Sequence, residues 1–288
     1  MRSIANIKVI GVIGSGTMGS GIASAAVFNG FKVLLYDINE SIVKTGIDKI
    51  KRGFDKLVEK KKIDITKKEE IVKRLIGINK IEELSVCDFV IEAAIEDIAL
   101  KKELFTTLEK ITGDDIIFTS NTSSLSVTAI STSLNKEERF AGMHFFNPAN
   151  VMKLVEVIRG EFTSDEVLNT VIDLSKKLAK IPVVCSDTPA FIVNRVARAF
   201  YGEALKIMSE EMLKAESIDT IMKDEGGFAM GPFELMDLIG IDVNLTVTKS
   251  VYEAFFYDQK YKPSPIQQKM VDSGLLGRKT GQGFYKYD

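Results

Sequence analysis

Ile7-Lys8-Val9-Ile10-Gly11-Val12-Ile13, running into Gly14-Ser15-Gly16-Thr17-Met18-Gly19, decides the fold of this chain. The first seven residues are short, apolar and β-branched, the pattern of a strand buried in a parallel sheet. The next six form a G-x-G-x-x-G turn. A helical run over 18–29 then stops at Gly30, where a helix C-terminal glycine belongs. A second strand over 32–37 closes on Asp37, eighteen residues beyond Gly19. The three glycines have separate physical roles. Gly14 permits the tight turn, Gly16 lets a pyrophosphate approach the backbone, and Gly19 lets helix and strand pack closely. Thr17 and Met18 open the helix, whose free N–H groups and positive dipole end suit phosphates. A glycine turn alone is weak evidence, but strand before, helix after and acid beyond make the combination specific. The unit reads as a dinucleotide-binding βαβ with Asp37 on the adenosine ribose hydroxyls. That negative charge would repel a 2′-phosphate, so NAD (as NADH in the reducing direction) is favoured over NADP, and FAD is the weaker candidate.

Outward from this unit the alternation continues. A helix is predicted over 39–62, with Ile42, Ile47, Ile50, Phe54 and Leu57 as its apolar stripe, and a second helix to about residue 75. Lys56, Lys60, Lys61, Lys62, Lys67 and Lys68 make this hairpin strongly basic. It is either a solvated helical pair or a patch that receives the phosphates of a nucleotide-like substrate handle. Strands are predicted over 75–78, 88–93, 116–120, 139–145, 154–158 and 181–185, with helices over 99–110 and 165–180. The reading is α/β: an N-terminal Rossmann-type doubly wound, mostly parallel sheet over 1–187, with the helical hairpin inserted near 39–75. From Ala190 the sequence is helical almost throughout, which gives an all-α C-terminal domain over 188–288.

The chain has 288 residues, 45% apolar and 27% charged, with a net charge of −2, so no global attraction to nucleic acid or an anionic membrane is expected. With no signal peptide, transit peptide or membrane span in view, a cytoplasmic location is expected. Cys87 and Cys185 stand in apolar surroundings and read as reduced thiols. Neither shows metal-ligand spacing, and no metal site is expected.

His144 is the only histidine. An isolated histidine among apolar residues is usually a satisfied core residue, yet it is also the side chain best suited to proton exchange near neutrality. Glu156 lies in the apolar strand Leu154-Val155-Glu156-Val157-Ile158, where a carboxylate is costly to bury without a partner. A neighbouring strand could bring it to the imidazole, orient the ring and stabilise the imidazolium. The alternative is a surface glutamate on an edge strand. Asn121 and Ser123 follow the strand over 116–120, at the strand ends where open α/β sheets bind ligands. Asn194 falls early in the first helix of the second domain, where it could cap, bridge or face the substrate.

Five segments then carry a resemblance: Ser120-Asn121-Thr122-Ser123-Ser124-Leu125, His144-Phe145-Phe146-Asn147-Pro148, Asp187-Thr188-Pro189-Ala190-Phe191-Ile192-Val193-Asn194-Arg195, Gly231-Pro232-Phe233-Glu234-Leu235-Met236-Asp237, and Gly277-Arg278-Lys279-Thr280-Gly281-Gln282-Gly283-Phe284-Tyr285. In order and spacing they resemble the motifs of the L-3-hydroxyacyl-CoA dehydrogenases, in particular the bacterial 3-hydroxybutyryl-CoA branch. The resemblance implies an NAD-dependent enzyme interconverting (S)-3-hydroxybutyryl-CoA and acetoacetyl-CoA, with His144 and Glu156 as catalytic pair. It implies Ser123 and Asn194 on the reacting oxygen or thioester, and Asp37, Glu96, Lys101, Asn121 and Lys279 on NAD. Lys60, with Lys56 beside it, would meet coenzyme A. Gly53 departs from the coenzyme A-contacting serine of mammalian relatives. The resemblance also implies a homodimer or larger homo-oligomer formed through the helical domain. Two alternatives stay open from the residues: a dehydrogenase acting on a free hydroxy or sugar acid, and a non-catalytic NAD-binding protein.

Overall fold

The structure, a computed structural model, describes residues 3–210 and 213–287. The chain divides into two compact units, Met1–Thr188 and Pro189–Asp288. The first contains β1 (Val9–Ile13), α1 (Thr17–Phe28), β2 (Lys32–Tyr36), α2 (Glu40–Glu59), α3 (Ile65–Val72), β3 (Leu75–Ile78), β4 (Phe89–Glu92) and α4 (Ile98–Ile111). It continues through β5 (Ile117–Ser120), α5 (Val127–Ser131), β6 (Phe140–Phe145), β7 (Leu154–Arg159), α6 (Asp165–Lys177) and β8 (Ile181–Ser186). The eight strands form one sheet in the order β3-β2-β1-β4-β5-β6-β7-β8. Its first six strands run parallel, β7 returns antiparallel to β6, and β8 is parallel to β7. The expected Rossmann-type sheet is thus present, and the order 3-2-1-4-5-6 places its switch point beside β1 and β4.

Strand sequence explains strand position. Ile10 and Val12 of β1, Val33 and Leu35 of β2, and Phe89 and Ile91 of β4 are fully buried, sharing a core with Ile22, Ala26 and Val27 of α1. Central parallel strands are covered on both faces, so they carry near-continuous apolar runs. Polar caps set the helix starts: Asn39, Asp64, Asp97, Ser126 and Ser164 each accept a backbone N–H from the first turn they precede. α5 lies outside the sequence expectation, because five residues are too few to show helical periodicity. α6 stops short of the predicted residue 180, with Ala179 in the left-handed region at φ 57°. Both cysteines are free, Cys87 buried and Cys185 half-buried, and burial pushes each thiol up to about 12.

The second unit is helical, as expected: α7 (Val193–Glu210), α8 (Ala215–Asp224), α9 (Pro232–Ile239), α10 (Ile241–Ala254) and α11 (Pro265–Asp272). α7 starts later than the sequence suggests, because Ala190 and Phe191 take φ of 64° and 50°. Tyr201, Leu205, Phe233, Met236 and Ile241 form its core. Two buried aspartates organise the rest. Asp219 accepts the N–H groups of Phe233 and Glu234 at the start of α9 and the Tyr285 hydroxyl. Asp237 accepts the N–H groups of Phe284 and Tyr285 and the Tyr287 hydroxyl. A Cβ on Gly283 would stand 2.1 Å from Asp237 Oδ1, so the close approach requires glycine there. These bonds give the Gly231–Asp237 motif and the carboxyl-terminal motif a structural role.

Candidate active site

The phosphate-binding turn is built as its glycines imply. Gly14 has φ +94°, and a Cβ on it would lie 2.5 Å from the Ala93 carbonyl oxygen. On Gly19 a Cβ would meet the Gly14 carbonyl oxygen at 1.7 Å, so α1 can sit down on the turn only with glycine there. Gly16 is different: nothing lies within 4 Å of where its Cβ would be. It is the N-cap of α1, and no side chain caps that helix. Open space over uncapped N–H groups at the amino end of a twelve-residue helix is what a pyrophosphate needs. Thr17 is exposed there and Met18 packs half-buried on the core. Asp37, just past β2, accepts the Ser15 N–H at 2.9 Å through Oδ2, and its Oδ1 makes no bond among the described residues. The side chain is fixed by the turn and keeps one oxygen for a ribose hydroxyl. These residues therefore fit a dinucleotide.

Three further strands carry the other candidate residues of this unit. β6 and β7 pair His144 directly with Glu156, and His144 Nδ1 lies 2.7 Å from Glu156 Oε2. His144 is 6% exposed and Glu156 1%. An ionised carboxylate can only accept, so Nδ1 carries the proton in this bond and Nε2 is the ring's other, exchangeable position. Phe146 packs on the imidazole with ring centroids 4.6 Å apart. Asn121 Oδ1 accepts the Phe145 N–H at 2.8 Å, which ties the loop after β5 to the residue next to His144.

That loop is held from below by two glutamates. Glu96 Oε1 accepts from the Thr122 hydroxyl at 2.6 Å, the Ser123 N–H at 2.9 Å and the Ser124 hydroxyl at 3.2 Å. Burial works to raise the Glu96 carboxyl, but the Thr122 hydrogen bond, the Lys101 charge and the Ser123 and Ser124 donors hold it below the usual range. Glu92, wholly buried at the end of β4, accepts Lys101 Nζ and the Ala94 N–H, both at 2.6 Å, through Oε1, and the Ser120 hydroxyl through Oε2. Lys101 is 2% exposed and also lies 3.5 Å from Glu96. Its ammonium is thus committed to the two carboxylates. Sequence reasoning alone misses Glu92, although a glutamate inside an apolar strand is the same signal that singles out Glu156.

Lys56 on α2 and Lys60 at its C-cap are exposed, and neither is ion-paired among the described residues. A groove of about 300 Å³ runs between Thr17 and Gly21 of α1, Lys49 and Gly53 of α2, and Asn147–Asn150. A Cβ on Gly53 would meet nothing within 4 Å, so packing does not demand glycine there. The remaining expected residues lie in the second unit. Asn194 is half-buried in the first turn of α7, and Lys279 Nζ is held by both oxygens of Asp242 at 2.6 and 2.7 Å.

With this geometry in hand, residues 9–188 match the family described as 3-hydroxyacyl-CoA dehydrogenase, NAD binding domain, and residues 191–287 match 3-hydroxyacyl-CoA dehydrogenase, C-terminal domain. The chain belongs to the 3-hydroxyacyl-CoA dehydrogenase family. Its first unit is accordingly an NAD-binding module. The chain is 46% identical to a 3-hydroxyadipyl-CoA dehydrogenase of Escherichia coli over 98% of its own length, and spans 59% of that protein. A 3-hydroxybutyryl-CoA dehydrogenase of Bradyrhizobium diazoefficiens is 39% identical, with 98% of this chain and 96% of that one covered. The crystal structure of (S)-3-hydroxybutyryl-CoA dehydrogenase from Ralstonia eutropha superposes with a TM-score of 0.94 at 39% identity, covering 98% of this chain and 100% of that one.

Proposed function

We propose that this 3-hydroxyacyl-CoA dehydrogenase interconverts (S)-3-hydroxybutyryl-CoA and acetoacetyl-CoA, with His144 and Glu156 as its acid–base pair. The observation that carries the reading is the buried 2.7 Å contact between His144 Nδ1 and Glu156 Oε2 on directly paired strands. In the oxidising direction neutral His144 accepts the 3-hydroxyl proton at Nε2, and in the reducing direction it returns that proton to the ketone oxygen. Bound NAD supplies the hydride chemistry at C3. Glu156 fixes the ring and stabilises its cationic form, as the carboxylate of a histidine-based triad does. Ser123 is proposed as a donor to the reacting oxygen, its loop held by Glu96, and Asn194 as a second donor. Gly14, Gly16, Thr17, Met18, Gly19, Asp37, Glu96 and Asn121 are the proposed NAD contacts. Lys101 supports the site through Glu92 and Glu96, and Lys279 is retained from the motif. Lys56 and Lys60 are proposed to receive phosphates of the coenzyme A handle. The protein is proposed to work in the cytoplasm as a homodimer or an assembly of dimers. No described helix is long and apolar enough to cross a membrane.

The deciding experiment mixes the protein with NADH and acetoacetyl-CoA and follows the loss of reduced-nicotinamide absorbance. Turnover within the ordinary enzymatic range of about 1–10³ s⁻¹ is expected. Acetoacetate without its coenzyme A handle should be reduced far more slowly. Absence of turnover would overturn the reading, and equal rates on the free acid would favour a hydroxy-acid dehydrogenase. The E. coli relative is named for a dicarboxylic acyl chain, so 3-oxoadipyl-CoA belongs in the same assay. A clear preference for it would replace the four-carbon substrate proposed here.

A further inference from the structure

We propose that the helical unit carries a binding site for a small oxyanion, a carboxylate or phosphate group, against the guanidinium of Arg198. Arg198 sits one turn into α7 and is 5% exposed. Its Nη1 donates to the Asn244 carbonyl at 2.9 Å and to the Thr248 hydroxyl at 2.8 Å, and its Cζ lies 5.0 Å from the centroid of the Tyr201 ring. Nε is buried without an acceptor, and Arg198 makes no ion pair with a described carboxylate. A carbonyl, a hydroxyl and a ring face are neutral partners. A largely buried cation whose protein partners are all neutral is poorly compensated, and an anion beside it would offset that cost. Burial lowers the Arg198 pKa to about 10, which still leaves the group charged at neutral pH.

The space beside Arg198 has the matching chemistry. A void of about 30 Å³ is lined by Arg198, Tyr261, Lys260, Lys262, Ser264 and Gln267 among others, enough for one small anionic group or a few waters. Lys260 and Lys262 are exposed at its rim, and neither is ion-paired among the described residues. Ser264 is the N-cap of α11, so the positive end of that helix borders the same void. The Asn244 Nδ2 behind Arg198 is a second buried donor without an acceptor. The buried unmet atoms here, Arg198 Nε and Asn244 Nδ2, are both donors and the rim carries two lysines, which suits an occupant that accepts hydrogen bonds and brings negative charge. An oxyanion does both; water does only the first.

The test follows thermal unfolding of the full chain at fixed ionic strength as sodium phosphate or sodium acetate replaces sodium chloride. Saturable stabilisation of about 2–4 °C beyond the chloride control is expected from at least one of the two. The stronger arm identifies the occupant as phosphate or carboxylate. Arg198→Met should abolish the response, and the double variant Lys260→Ala/Lys262→Ala should need several-fold more anion to reach half-saturation. Crystals soaked in selenate should show anomalous scattering beside the Arg198 guanidinium, which keeps the proposal testable if Arg198→Met does not fold. A response to phosphate and acetate no greater than to chloride, or an equal response in the double variant with no anomalous peak, would overturn it. None of these outcomes depends on whether the chain turns over acetoacetyl-CoA.

Discussion

Glu92 and Glu156 are both buried carboxylates in strands of one sheet, each in contact with a basic side chain: Lys101 Nζ at 2.6 Å and His144 Nδ1 at 2.7 Å. The partners differ in kind. The Glu92–Lys101 contact is a buried salt bridge, with Ser120 and Ala94 donating to further acceptor sites of Glu92. An imidazole can carry or release a proton, and Glu156 is proposed to support His144 in doing so. On the proposed reading, one pair supports the loop beneath the site and the other moves the proton. The difference is visible only because the fold buries both equally well.

The largest effect is expected at the histidine. His144→Ala should lower turnover about 10²–10⁴-fold while NADH binding persists. Glu156→Gln keeps an acceptor for the ring but removes the charge, and its turnover should fall between the two. Near-normal rates in folded His144→Ala would remove the proton role altogether.

At the lysine the expected effect moves from rate to stability. Lys101→Met leaves Glu92 charged and buried without its cation, which should cost about 3–5 kcal/mol in urea unfolding. The double variant Glu92→Gln/Lys101→Met removes both charges and should recover much of that loss. If the single variant unfolds like wild type while its KM for NADH rises, Lys101 is a direct cofactor contact and the supporting role fails.

What is legible in the sequence follows the same divide. The β1–α1–β2 unit can be read because its glycines and Asp37 serve one constraint each, and the strands can be read because burial on both faces imposes apolar runs. Glu156 is legible from the cost of burying a carboxylate in such a run. Glu92 carries the same signal, but its partner Lys101 lies on the next helix, where an exposed lysine is the ordinary expectation. The left-handed residues Ala179, Ala190 and Phe191 cannot be read, because tertiary packing rather than local preference holds alanine and phenylalanine at positive φ. Nor can the neutral surroundings of Arg198, which depend on α10 folding against α7.

A smaller effect separates charges held by the fold from charges left open. Lys56 and Lys60 are exposed and unpaired among the described residues, unlike Lys101. Neutralising both should raise KM for acetoacetyl-CoA several-fold, leave KM for NADH nearly unchanged, and weaken with added salt as screened phosphate contacts do. Equal effects on both substrates would return the hairpin to a solvated surface.

The smallest effect lies between the two pairs, at Glu96, whose side chain is 37% exposed yet gathers Thr122, Ser123, Ser124 and Lys101. Burial alone would raise its carboxyl, but these donors outweigh it and the folded value lies below the ordinary 4.5. The sign follows: stabilisation is fully present above the unfolded value and is lost as pH falls through the lower folded one. Wild type should therefore exceed Glu96→Gln in unfolding midpoint by a constant margin above about pH 5, and that margin should shrink as the pH drops below the ordinary carboxyl value. A margin that stays constant down to about pH 3 would mean the loop is held by shape and not by the charge of Glu96. Ser123 would then be positioned by packing, and only the histidine pair would depend on electrostatics.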